Sequence, residues 1–438
     1  MNFEKFYNGI KGKLDQAGFY ALRGVDIHTT PGSITSSKAM TKASASVVDA
    51  TPTCSTVLPN GDSFFATSAS GKIWKCTSAG VVSLVHTNTE GDTRGMGFFN
   101  GYLYYASSDK LGRITEAYAS SQASWSSEND TWATFTNAAD YKPMVVHNLS
   151  LFIGDGKYVA AVDGAGSFSA NVLDLETQHT VTALARYGDY LLIGTYVGSN
   201  ANQAGLFLWD TYSSSWTTVD YIDEAGVNMF IPADNTLFLQ AGTVGNIYYW
   251  TGEKAELFTK LKDGANSVAT AINPYGSANL NGLPLISTTK GVYSLGRGDA
   301  SLPIAQAIEY LSSATITVAG AIETVASQVF LGWRATATYG IDKLSANKAT
   351  GVVETPLALG KFKSVKVHYD SIPTSTNITC KLSKDGAAFA THTLVQDDTN
   401  KRLFKSSAAI GNKSTLQVQI SLVPSTTTAP SIYNIELE

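Results

Sequence analysis

Short apolar runs return along the chain at a nearly regular interval. Phe64-Phe65-Ala66, Leu103-Tyr104-Tyr105, Leu151-Phe152-Ile153, Leu191-Leu192-Ile193, Leu237-Phe238-Leu239 and Leu285-Ile286 are followed by a weaker seventh, Val329-Phe330-Leu331. Their starts lie 39 to 48 residues apart. Most are followed, some ten or more residues on, by a glycine and a second apolar or aromatic run. These second runs are Gly71-Lys72-Ile73-Trp74, Gly112-Arg113-Ile114, Gly205 to Trp209, Gly245 to Trp250, Gly291-Val292-Tyr293 and Tyr339-Gly340-Ile341. Asn60-Gly61, Asn100-Gly101 and Asn281-Gly282 precede several first runs and suit tight hairpins.

A repeat of about 40–50 residues made of short strands is the pattern of propeller blades. One four-stranded blade has too little core of its own, so neighbours must stack and the ring must close. Evenly spaced strands of a sandwich or solenoid are the competing reading; the paired runs inside each period favour the propeller. The expected fold is therefore all-β, a six- or seven-bladed β-propeller, with blade number turning on the weak seventh run. Closure needs a strand from one end to complete a blade begun at the other, and residues 19–34 or 43–48 are the candidates. Trp74, Trp209 and Trp250 fall on second runs, with Trp125, Trp132 and Trp216 shortly after others. Tryptophan at repeating positions is read as packing between blades.

Past residue 342 the pattern becomes clean alternation, at 363–369, 377–382, 388–394, 416–422 and 432–437. Five strands so closely spaced predict a small C-terminal β-sandwich. The expected organisation is an N-terminal arm with a possible ring-closing strand (1–48), the propeller (49–345) and the sandwich (346–438). The polar, poorly patterned arm is expected to tie the chain to neighbouring molecules and to be dispensable for folding.

Composition narrows the picture. Only 15% of residues are charged, while 44 are Ser and 47 Thr, and 38 Gly stand against 12 Pro. Such a chain has exposed polar strand faces and many turns; its aromatic and β-branched content argues against disorder and its make-up against a helical bundle. The net charge is −5, divided as −9 over residues 1–342 and +4 over 343–438. Without clustered Lys and Arg, general nucleic-acid binding is excluded. Cys54, Cys76 and Cys380 have no metal spacing and are expected to be reduced, partly buried thiols. No signal-peptide core follows Met1 and no long apolar stretch suits a membrane helix, so synthesis in a cytoplasm without membrane insertion is expected.

Candidate chemistry is sparse. His28, His86, His147, His179, His368 and His392 form no HxH or HExxH pair, so zinc is not expected. Neither a G-x-S-x-G elbow nor a phosphate-binding G-x-x-x-x-G-K-[ST] loop occurs. Residues 127–132 echo the turn of sialidase propellers but lack its glycine, and Asp397-Asp398 read as a turn rather than an acid–base pair. Gly154-Asp155-Gly156 and Asp163-Gly164 are read as hairpin turns, not calcium loops. Arg297-Gly298-Asp299 is read as a chance triplet, and the lysines of the C-terminal strands as a solvated face. No catalytic, cofactor-binding or metal residue is assigned, no cofactor is expected, and an enzyme is not the expected reading.

Two stretches carry a resemblance. Leu22-Arg23-Gly24-Val25-Asp26 with Thr30-Pro31-Gly32-Ser33-Ile34 resembles the opening arm of tailed-bacteriophage virion proteins built around a β-propeller. Thr350 to Pro356 with Gly360 to Val365 resembles the passage in those proteins from the last blade to a small sandwich, and Ala429-Pro430 to Leu437 resembles their closing strand. The family includes tail nozzle, stabilisation and tail-tip proteins and brings no catalytic residues. The resemblance implies a structural tail protein, located in the virion, that assembles into a symmetric oligomer with copies of itself and joins other tail proteins. A host-surface glycan is the alternative partner, for a receptor-binding tail protein. Were such discs to surround a DNA channel, the acidic propeller would avoid gripping the passing phosphates.

Overall fold

The computed structural model describes all residues except 12, 13, 31, 44–47, 120, 199–201, 234, 235, 298, 397, 399–401 and 407–414. Among them the strands form seven four-stranded antiparallel units arranged as a ring, and two further sheet layers packed beside it. Blade 1 comprises Pro52–Val57, Ser63–Thr67, Lys72–Cys76 and Val82–Thr87; blade 2, Gly95–Phe99, Tyr102–Ala106, Lys110–Thr115 and Ala133–Thr134. Blade 3 comprises Met144–His147, Ser150–Asp155, Tyr158–Val162 and Phe168–Asp174; blade 4, Thr180–Tyr187, Tyr190–Tyr196, Ala204–Trp209 and Thr218–Ile222. Blade 5 comprises Val227–Ala233, Thr236–Ala241, Asn246–Trp250 and Ala255–Lys260; blade 6, Ser277–Leu280, Leu283–Thr288, Gly291–Gly296 and Ala305–Tyr310. Blade 7 takes Val318–Val325, Gln328–Ala335 and Thr338–Lys348 from the end of the ring and Lys38–Lys42 from near the N-terminus.

All seven first runs are second strands of blades, and each second run named above is a third strand. The weak run at 329–331 is thus a full blade, and the ring has seven. The closing strand lies between the two stretches expected to supply it: Thr41 pairs with Lys343 and Met40 with Leu344. Of the 43–48 stretch, residues 44–47 lie outside the described residues.

The first strand of each blade faces its neighbours around the axis. Ser55 Oγ donates to the Ile322 carbonyl, Thr182 Oγ1 to that of Val227, and Ser277 Oγ to that of Phe230, each joining the first strands of adjacent blades. Between blades the packing is apolar and aromatic, because each sheet buries both faces. Trp74 packs with Phe330 and Ile341 of blade 7, Trp209 meets Phe152 of blade 3 edge-on at 5.5 Å, and Trp250 meets Tyr187 of blade 4 at 6.3 Å. The repeating tryptophans are inter-blade packing. Gly71, at φ +62°, sits against the Gly91 carbonyl where no side chain fits, which holds blade 1's second hairpin tight.

The sandwich is not a separate C-terminal unit. One layer orders Val25–Asp26, Ile34–Ser36, Ser431–Leu437, Val365–Tyr369 and Arg402–Ser406, with Asn2–Phe3 also paired to Ser431–Leu437. The other runs Ala21–Arg23, Gly351–Glu354, Thr415–Val423, Asn377–Lys384 and Ala390–Gln396. It continues directly from blade 6, because Arg23 pairs in parallel with Ile308 of that blade's outer strand. The expectation of a dispensable arm is therefore corrected. Phe3, Phe6, Ile10, Phe19, Leu22, Val25, Ile27 and Ile34 are all buried in the core shared by ring and sandwich. Their spacing follows neither the helical nor the strand period for more than a few residues, which hid them from pattern reading.

Candidate functional surfaces

In an up-and-down blade, the turns between second and third strands and the links between blades share one face of the ring. That face holds an axial cavity of about 640 Å³. Its walls come from the starts of first strands (Thr53, Thr317), from hairpin tips (Ser68, Thr289) and from the link between blades 5 and 6 (residues 269–274). The same link closes the axis below: Tyr275 Oη accepts from Met96 N at 2.9 Å and donates to the Lys142 carbonyl at 2.9 Å, and Ile322 N donates to the Tyr275 carbonyl. The ring is a cup rather than an open tube.

Most polar groups in the cup serve the fold. Asn273 Nδ2 and Ser287 Oγ both donate to the Gly320 carbonyl at 2.8 Å, and Thr270 Oγ1 donates to that of Gly242. At the rim Arg94 is held by Asp92 (2.5 Å), Asp140 (2.6 Å) and the Ala139 carbonyl (3.0 Å). Gln240, fully buried on the second strand of blade 5, is different: neither atom of its carboxamide has a partner, and Thr53 Oγ1 also has none.

The opposite face carries exposed apolar side chains. Leu149 is 84% and Tyr212 83% exposed, with Tyr190 nearby at 37%. Asn148 Nδ2 bridges the turns beneath them, donating to the Asp189 carbonyl (3.3 Å) and Thr211 Oγ1 (3.1 Å), and so joins blades 3 and 4.

Buried titratable clusters occur elsewhere, and each braces the ring. Asp130 accepts from Tyr105 Oη (2.7 Å), Thr89 N and Thr89 Oγ1 and pairs with His86 Nε2 (2.8 Å), while His86 stacks on Trp125. These bonds hold the carboxyl of Asp130 below its usual range and strap blade 1 to blade 2. Residues 127–132 thus deliver a structural acceptor. Lys142 and Asp155 form a fully buried ion pair; Asp155 also accepts from Thr136 N and Asn137 N, both at 2.9 Å. Burial lowers Lys142 to about 8 even beside this carboxylate. At the joint with the sandwich, His28 Nε2 contacts Ser294 Oγ at 3.0 Å beside buried Glu309. Burial drives these two in opposite directions, His28 down to about 4 and Glu309 up to about 7.

The remaining motifs take ordinary roles. Gly154-Asp155-Gly156 is a hairpin and Asp163 caps its own turn through Ala165 N and Ser167 N. Asp299 binds Ser301 locally, while Gly298 lies outside the described residues, as does Asp397; Asp398 accepts from Tyr369 Oη. Lys366 and His368 pair with Glu436 on the sandwich face. All three cysteines are free and buried, which raises their thiol pKa values, that of Cys380 to about 12. Among the described residues no group of His, Cys, Asp or Glu is arranged to hold a metal ion, and no helix is long and apolar enough to cross a membrane. Nothing in the spacing of residues signals the cup, because its walls come from six of the seven blades' links and turns; Gln240 lies one residue before the end of an ordinary apolar strand.

No family model matches the chain, and no curated protein matches it. Among solved structures it is similar to the RRP9 WD40 repeats (13% identity, TM-score 0.52, covering 71% of this chain and 99% of that one). It is similar also to U3-55K (13%, 0.51, 70% and 98%) and to a streptogramin B lyase (11%, 0.50, 70% and 98%). At these identities the likeness establishes the β-propeller and nothing about activity, and the propellers it resembles include both an enzyme and WD40 repeat proteins.

Proposed function

We propose that the chain is a structural component of a bacteriophage tail, a nozzle- or hub-like β-propeller protein that assembles with copies of itself into a symmetric oligomer and connects tail parts in the virion. The observation that carries this reading is where the family-like segments meet. Leu22 pairs with Val353, Ile34 with Ile432, and Val365 with Leu437. Stretches more than 300 residues apart in sequence, each resembling the same virion proteins, thus build one sandwich fused to the ring. A rigid disc with a fused side domain suits load-bearing assembly, and its low charge leaves few ions to desolvate at interfaces. The exposed Leu149–Tyr190–Tyr212 face offers an apolar contact area.

The test is mass photometry of the purified chain together with antibody labelling of virions in negative-stain images. Rings of defined order and label on the tail are the expected results; a lasting monomer absent from virions overturns the reading. A second reading, a tail protein that grips a host-surface carbohydrate, is favoured by one observation, the cup with its unpartnered carboxamide.

A further inference from the structure

We propose that the axial cup binds one or two uncharged sugar residues at the end of a glycan, with the Gln240 carboxamide as the central polar contact. The proposal rests on the second reading above and is separate from the nozzle- or hub-like assignment. The cup's volume lies within the roughly 300–1,000 Å³ usual for small-molecule sites. Buried polar atoms are almost always paired, so a fully buried side chain with both its donor and its acceptor free, on the wall of a cavity, marks a place for a ligand. Thr53 Oγ1, from blade 1, adds a third free atom to the lining of the cup.

The lining selects the chemistry. An apolar ligand would seal the carboxamide away unpaired. Among the described residues that line the cup an anion finds no free cation: Arg94 is already committed to Asp92 and Asp140, and these acids repel negative charge at the mouth. A pair of neighbouring sugar hydroxyls offers one donor and one acceptor together, which answers both atoms of a carboxamide. The mixed lining, with Met229, Ile272 and Pro274 among hydroxyl groups and the ring of Tyr141 at the mouth, matches the apolar faces and polar edges of a pyranose.

The experiment is ligand-observed NMR and calorimetry of the full chain with a panel of neutral mono- and disaccharides, sialic acid and peptide amides as contrasts. Two variants accompany it: Gln240→Leu, and Ala271→Trp, which fills the mouth from an exposed position. Neutral sugars are expected to bind, with affinity reduced about tenfold or more by Gln240→Leu and abolished by Ala271→Trp while the melting transition is kept. Should Gln240→Leu not fold, Ala271→Trp carries the comparison. Absence of binding across the neutral sugars, equal binding by the folded variants, or preference for peptide amides overturns the proposal. Virion labelling decides the tail reading independently.

Discussion

Ring and sandwich are both made of antiparallel strands, yet they are assembled in opposite ways. In blades 1 to 6 consecutive strands pair with one another, so each sheet forms within a few dozen residues. The sandwich is stitched from residues 2–36 and 351–437, and its layers alternate between the two ends of the chain. Blade 7 stands between these regimes, with three local strands and one borrowed from Lys38–Lys42. The N-terminal segment is what converts a row of blades into a closed ring and fixes the sandwich to it. Local pairing therefore makes the parts, and long-range pairing makes the whole, at the cost of slow loop closure.

The largest predicted effect follows from that division. Deleting residues 1–42 removes the outer strand of blade 7 and four sandwich strands, together with the Arg23 bridge to Asp263 (2.5 Å) and Glu354 (3.0 Å). The truncated chain is expected to lose its cooperative melting transition and to aggregate, as differential scanning calorimetry and light scattering would show. A soluble, cooperatively melting product would mean that the ring closes without its borrowed strand.

This contrast also explains what could be read from the residues beforehand. Blades announce themselves because their central strands are buried on both sides and recur; even Val329-Phe330-Leu331 kept the period. Alternation at 363–369 and 416–422 exposed half of the sandwich for a different reason, since a strand with one face in the core, as at Val365–Tyr369, alternates. Phe6, Phe19 and Leu22 gave no such sign, since each is buried in the core shared by ring and sandwich, and Phe6 stacks on Phe19 only once the segment has folded back. The cup was illegible too. Its walls come from links and turns that share a face only after seven blades have closed, and Gln240 differs from other strand residues in that neither atom of its carboxamide has a partner.

A second prediction probes the local side of the comparison. Replacing Lys142 by Met strands the buried Asp155 carboxylate, while replacing Asp155 by Ala strands both the ammonium and the amides of Thr136 and Asn137. Each is expected to cost about 3–5 kcal/mol in denaturant unfolding, with Asp155→Ala the worse. Equal effects from both would show that the amides find other acceptors.

The joint between the regions is expected to sense pH. Glu309 lies beside Ser294, Tyr310, Asp26 and His28, and one of its oxygens has no partner. Its folded pKa, about 7, lies above the ordinary 4.5. The folded state therefore holds the proton more tightly, and the associated stability is complete below about pH 4.5 and lost as pH rises through 7. His28 acts oppositely: depressed to about 4, it favours the folded state above 6.5 and loses that contribution as pH falls. Glu309→Gln removes only the first dependence. The stability of the variant relative to the native chain should grow by roughly 2–3 kcal/mol between pH 5 and pH 8. A constant difference across that range would mean that the carboxyl is already hydrated at the joint.

The smallest effect lies at a hairpin tip far from that joint. Asn100-Gly101 and Asn281-Gly282 turn with both residues at positive φ, the conformation that tight two-residue hairpins need. Asn148-Leu149 makes the same kind of turn with φ of 45° and 59°, but places a leucine where glycine relieves the strain. Its side chain is almost wholly exposed, so little packing offsets the cost. Leu149→Gly is expected to stabilise the isolated chain by about 1 kcal/mol, read as a raised melting temperature. If the far face is an assembly surface, the same change weakens the oligomer, because the leucine's value lies in the contact rather than in the fold. A strained apolar tip that helps neither stability nor assembly when present would leave the structural reading without its most exposed support, so both measurements belong on the same variant.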